Sequence, residues 1–176
     1  MPGGKRPCAS ANLVLMPYQS HEQYMTRAFE LASKSYSEGG CPIGGVLVDN
    51  HTGAVLGEGH NALVQEANPI IHGEMAALRD AGRLINRHHT TMYTTLQPCF
   101  MCAGAIVQFG IPRVVIGDAT NVASDETVHF LRGRGTEVIV LDPNTSDAAR
   151  ACIALASRFR QEKPELWLED WGGGPA

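Results

Sequence analysis

The sequence predicts an α/β fold with helices on both faces of a mixed sheet, and three observations predict it. Helical and strand patterns run as one helix, two strands, then helix and strand in alternation, then a final helix. That order closes most simply into a sheet covered on both sides. With 176 residues, 44% hydrophobic and 18% charged, the chain can bury a proper core. No repeat, low-complexity tract or linker breaks the pattern, so one domain is expected over 18–176.

Residues 1–17 hold three prolines and two glycines with little periodicity and read as a loosely ordered leader. Ser20 is a plausible N-cap for a helix running to about Glu38, with Met25, Ala28, Phe29, Ala32 and Tyr36 as its apolar stripe. Gly39-Gly40 stops it. Gly45 to Asp49 and Ala54 to Glu58 form a hairpin around Asn50-His51-Thr52-Gly53. Asn61, just after the second strand, can be a turn former or a substrate ligand.

Asn68-Pro69 signals a helix start and Gly82 a stop, with Met75, Leu78 and Ala81 at helical spacing between them. Thr91 to Leu96 is a strand leading into a helix over Cys99 to Phe109, with Pro98 suited to its first turn. That helix is apolar nearly all round. One side would pack on the sheet, leaving the other for a partner subunit. Further strands fall at 113–117 and 136–141, and helices at 124–131 and 148–160. The tail from Pro164 to Trp171 is too apolar for an idle terminus. It either plugs the core or lids a site, with Trp167 and Asp170 on one face if helical.

The chemistry gathers at two places. Cys99 and Cys102 stand one helical turn apart at a helix start, where exposed amide dipoles favour thiolate. His72 supplies a neutral third ligand. Structural zinc is closed by four protein ligands, whereas catalytic zinc has three and leaves its fourth position to water or hydroxide. One imidazole and two thiolates suit Zn2+, one ion per chain. Glu74, beside His72 at a helix start, is placed as a proton shuttle. A redox Cys-x-x-Cys would leave His72 and Glu74 unexplained, and a closed structural site lacks a fourth ligand, since Cys8, Cys41 and Cys152 stand singly.

The net charge of −4 argues against a nucleic-acid partner. No stretch is long enough to span a bilayer, and Leu13-Val14-Leu15-Met16 is too short for a secretory core, so no membrane partner is expected. Five cysteines, two of them committed to a metal, fit a reducing, cytoplasmic setting.

His-x-Glu followed by Pro-Cys-x-x-Cys is the signature of zinc nucleobase deaminases. From about Gly39 to Trp171 the chain resembles the yeast-type zinc cytosine deaminases of the cytidine-deaminase-like superfamily. The likeness rests on Gly39-Gly40-Cys41-Pro42-Ile43-Gly44-Gly45, Gly59-His60-Asn61, His72-Gly73-Glu74, Tyr93-Thr94-Thr95-Leu96, Gly110-Ile111-Pro112-Arg113 and Trp167-Leu168-Glu169-Asp170. It implies a three-layer α/β/α sandwich on a five-stranded mixed sheet. It makes His72, Cys99 and Cys102 the metal ligands and Glu74 the shuttle. Asn61, Asp170 and the Gly73 backbone N–H would bind the ring edge, and Ile43, Leu96 and Trp167 would wall it. It further implies a homodimer and a tail, 164–171, that closes as a lid.

Two positions depart from that family pattern. Val122 stands where the family has a phenylalanine over the substrate, and Trp171 where it has an aliphatic residue. Both belong with the expected substrate-binding set. The leading expectation is hydrolysis of free cytosine to uracil and ammonia. Creatinine or a guanine-like purine is the alternative ring, a tRNA adenosine deaminase a third reading, and a non-catalytic zinc module a fourth.

Overall fold

A computed structural model of the protein describes residues 20–84 and 86–170. The expected leader, 1–17, and Trp171 lie outside the described residues. The elements in chain order are α1 (His21–Ser37), β1 (Gly44–Asp49), β2 (Val55–His60), α2 (Gly73–Ala81), β3 (Thr90–Leu96), α3 (Phe100–Gln108), β4 (Arg113–Asp118), α4 (Glu126–Gly133), β5 (Glu137–Val140), α5 (Asp147–Glu162) and α6 (Pro164–Asp170).

The strands form one five-stranded sheet in the order β2-β1-β3-β4-β5. β1 runs antiparallel to both β2 and β3, while β3, β4 and β5 are mutually parallel. A tight turn can join only antiparallel neighbours, and the parallel ones need the crossovers that α3 and α4 supply. Alternation along each strand then splits the core into two layers. Val46, Val48, Tyr93 and Val115 pack against α1 and α5. Leu47, Met92, Val114, Ile116 and Val138 pack against α2, α3 and α4. The result is the expected three-layer α/β/α sandwich on a mixed sheet.

Ser20 caps α1 through a reciprocal pair. Its Oγ accepts from Gln23 N–H at 3.4 Å and its own N–H donates to Gln23 Oε1 at 2.9 Å. Two helix starts differ from expectation. α2 begins at Gly73 with His72 as N-cap, because Asn68 spends its side chain on a local turn, accepting from Ile70 N–H at 3.2 Å. α3 begins at Phe100 with Cys99 as N-cap in extended conformation, so Pro98 lies before the cap and not in the first turn.

α3 packs one side on the sheet, as expected. Cys102, Ala103 and Ile106 are buried, but Phe100, Met101 and Phe109 stand on its outer side at 59%, 36% and 42% exposure. None of the helices among the described residues is long and apolar enough to cross a membrane.

Candidate active site

The C-terminal end of β3 and the N-terminal ends of β1, α2 and α3 meet at one edge of the sheet. Glycine makes that approach possible. A Cβ on Gly45 would lie 2.4 Å from the Gly73 carbonyl oxygen, so β1 and α2 touch backbone to backbone there. This contact seats His72 and Glu74 beside the end of β3, where Pro98 leads into Cys99.

Cys99 Sγ and Cys102 Sγ lie 3.4 and 3.7 Å from His72 Nδ1. All three donor atoms fall within 4.8 Å of one another, and no fourth histidine, cysteine or carboxylate joins the group among the described residues. Ligands on a tetrahedral zinc, with Zn–S about 2.3 Å and Zn–N about 2.05 Å, would stand S···N about 3.6 Å apart. The two S···N distances already match that spacing. The donor types and these distances both fit zinc.

Electrostatics supply part of that fit, a thiolate at Cys99, while His72 and Cys102 hold protons that a bound ion would displace. The hydrogen bond with the Cys102 thiol pulls Cys99 down to about 4 against its burial, and His72 adds to the pull. Cys102 is pushed up as the partner that keeps its proton and by burial. Burial works to lower His72, but the bond to Cys99 and the Asp170 carboxylate outweigh it and raise the imidazole to about 9. Negative charge on sulfur is thus available at neutral pH, as a cation site needs.

Glu74 is buried, and desolvation followed by the Cys99 charge raises its carboxyl to about 7. Thr94 orients it, donating from Oγ1 to Glu74 Oε1 at 3.1 Å. A carboxyl held near neutrality beside a metal-ligand cluster is suited to taking up and giving back a proton. Thr94 is a site residue for which the sequence offered a family marker but no role.

α6 brings Asp170 into the site. Asp170 has a side chain only 1% exposed, with Oδ1 accepting from Asn61 Nδ2 at 2.5 Å and lying 3.6 Å from His72 Nε2. Among the described residues its Oδ2 has no hydrogen-bond partner. Asn61 Oδ1 accepts from Leu63 N–H at 3.1 Å, which orients the amide that holds Asp170. Between these groups lies a cavity of about 10 Å³, lined by Ile43, His72, Glu74, Leu96, Gln97, Cys99 and Asp170. It has room for about one water. A groove of about 490 Å³ adjoins it, sharing His72, Gln97, Cys99 and Asp170 and bordered by Phe100 and Met101. A larger cleft of about 710 Å³ between α1 and α2 is lined by charges already paired, Arg27 with Glu58 and Arg79 with Glu66, away from this chemistry.

The expected site residues therefore gather, with corrections. Ile43 and Leu96 line the cavity, and Gly73 lies at its edge through the β1 contact. Trp167 does not line it. The indole packs 6.4 Å from the Phe159 ring, in an apolar cluster with Cys41, Ile43 and Leu96. A ring that large is better buried behind the wall than spread along it. Val122 packs half-buried against that same cluster. Gln97, which lines both the cavity and the groove, was not anticipated. Its bonds reach 27 and 30 residues along the chain, a distance no local pattern reports.

Residues 18–118 match the family model described as the cytidine and deoxycytidylate deaminase zinc-binding region. The chain belongs to that family. This zinc-binding deaminase is 45% identical over 147 residues to a cytosine deaminase of Candida albicans, covering 82% of this chain and 92% of that one. It is 35% identical over 149 residues to a tRNA-specific adenosine deaminase of Haemophilus influenzae, covering 82% and 85%. A solved structure of guanine deaminase from Nitrosomonas europaea shares the fold at a TM-score of 0.66 and 17% identity, covering 89% of this deaminase and all of that chain.

Proposed function

We propose that this zinc deaminase hydrolyses free cytosine to uracil and ammonia. The observation that carries the reading is the buried, unpartnered Oδ2 of Asp170, held by Asn61 above the His72–Cys99–Cys102 cluster. A buried acceptor without a partner is costly, and the N–H edge of a small ring satisfies it. The 45% identical cytosine deaminase supports the choice of ring.

In this reading His72, Cys99 and Cys102 hold the ion. Bound there, zinc supplies a Lewis acid that brings water to a pKa of about 7. Glu74 accepts a proton from the attacking water and delivers it to ring N3, then takes the second proton from the new C4 hydroxyl and gives it to the amine, which leaves as ammonia while the C4 carbonyl forms. Cytosine and one water enter, uracil and ammonia leave, and no redox partner is needed. Asn61, Asp170 and the Gly73 N–H orient the ring, with Ile43 and Leu96 as walls and Trp167 and Val122 packed behind them. A cavity of about 10 Å³ holds no nucleobase, so α6 must swing aside for entry. The protein acts as a homodimer through the outer side of α3, in a cytoplasmic setting that keeps its thiols free.

Ammonia release from cytosine, measured with zinc-loaded protein beside creatinine, guanine and adenosine-bearing tRNA, tests the reading. Turnover greatest on cytosine supports it. No turnover of cytosine alongside turnover of another ring reassigns the substrate and leaves the hydrolysis standing. Val122, smaller than the phenylalanine of the family pattern, is the observation that favours a bulkier ring as the second reading.

A further inference from the structure

We infer that Gln97 is a positioning residue that sets which ring the deaminase accepts, by pinning the segment whose Ala123, Ser124 and Thr127 line the groove. The inference rests on the deaminase reading and goes beyond it, since neither the metal cluster nor the proton shuttle requires a particular side chain at 97.

Gln97 lies between the end of β3 and the zinc-ligand pair, almost fully buried. Its backbone N–H donates to Asp118 O at 2.8 Å. Its side-chain amide donates to Ser124 O at 2.8 Å and to Thr127 Oγ1 at 3.0 Å. The segment joining β4 to α4 is therefore held on both sides of Val122. Before it, Asp118 Oδ1 accepts from Thr120 N–H and Oδ2 from Asn121 Nδ2, both at 2.7 Å, and Asn121 Oδ1 accepts from Ser157 Oγ at 3.0 Å. After it, Gln97 holds Ser124 and Thr127. Val122 and Ala123 span the two anchors.

The second anchor grows out of the site itself. Gln97 lines the inner cavity with Glu74 and Cys99, and it lines the outer groove with Ser124 and Thr127. A single side chain thus ties the floor of the cavity to the groove wall made by Ala123, Ser124 and Thr127. Distance between floor and wall decides the width offered to a ring, and a pocket discriminates rings by width and by edge contacts. Freed from Gln97, the wall would move without the metal ligands moving.

Two variants and two readouts test this. Gln97→Ala removes both bonds. Gln97→Glu keeps the size but cannot donate to the Ser124 carbonyl, whereas the Thr127 hydroxyl can still donate to it. Amide hydrogen exchange should quicken about tenfold over 122–127 in Gln97→Ala and less in Gln97→Glu. KM for cytosine should rise about tenfold in Gln97→Ala, and the ratio of kcat/KM between cytosine and 5-methylcytosine should shift, with kcat falling less than KM rises and zinc still at one per chain. Exchange over 122–127 equal to the parent's overturns the inference, as does faster exchange with KM and ring ratio unchanged. A parent inactive on every ring overturns the deaminase reading and the selectivity assigned to Gln97 with it. An active parent with unaltered variants overturns Gln97 alone.

Discussion

At the residue scale the chemistry depends on two carboxyls kept in opposite employment. Glu74 sits deep beside the sulfurs with its proton half-held near neutrality, while Asp170 is tied to Asn61 and His72 and presents a free oxygen. Replacing Glu74 by Gln keeps size and the Thr94 contact but removes the exchangeable proton. We expect kcat to fall by about 10²–10⁴-fold with zinc retained. Full activity in that variant would refute the shuttle. A second residue-scale effect concerns Cys152, which burial and then the charges of Asp118 and Glu22 push up to about 12. An unfolded thiol ionises near pH 8.5, at about the usual cysteine value. The folded value is raised, so the stability it contributes is whole below that pH and drains as pH climbs toward about 12. The slope is at most about 1.4 kcal/mol per pH unit. Denaturant titrations between about pH 9 and pH 11 should show a shallower decline for Cys152→Ala than for the parent. Identical slopes would reject the assignment.

At the scale of elements, helix ends matter more than helix bodies. His72 and Cys99 are both N-caps in extended conformation, and that is what lets residues from α2 and α3 face one another. Sequence patterns found both helices because Gly82 and the apolar spacing are local signals. They misplaced both starts because a turn at Asn68 and a cap at Cys99 depend on what each side chain bonds. The N-cap at Ser20 was legible, being a local signal, whereas its reciprocal partner Gln23 came from the structure. The role of Gln97 was not legible, since its partners lie far along the chain. α3 carries the prediction belonging to this scale. Phe100 and Met101 in α3 and Phe109 at its C-cap are exposed apolar side chains, the surface we propose for the dimer. A stable pair buries about 800 Å² per partner. Phe100→Asp combined with Phe109→Asp should yield monomers in sedimentation velocity at micromolar protein where the parent sediments as a dimer. A parent that is itself monomeric would refute the dimer.

At the scale of the whole molecule, the ion is a structural cross-link as well as a reagent. Its ligands come from α2 and α3, which pack on the same face of the sheet. A ligand that binds only the folded chain stabilises it by about 4 kcal/mol when present at about a thousand times its dissociation constant. Dialysis against a chelator should therefore lower Tm by about 10 °C, with recovery on adding zinc. A Tm indifferent to both treatments would argue against the site. The sandwich itself was readable from the order of elements, because short turns and crossovers leave few ways to close a mixed sheet. The width of the cavity was not, since it depends on where α6 and the Val122 segment settle.

Asp170 belongs to the last helix, whereas Asn61 and His72, which hold it, lie in the first half of the chain. During synthesis all five strands and every metal donor leave the ribosome before that carboxylate does. A nascent or proteolytically trimmed chain could thus be folded and metallated yet lack the carboxylate that Asn61 presents to an incoming base. Assays for fold or metal would pass such material as intact, and only turnover would betray it.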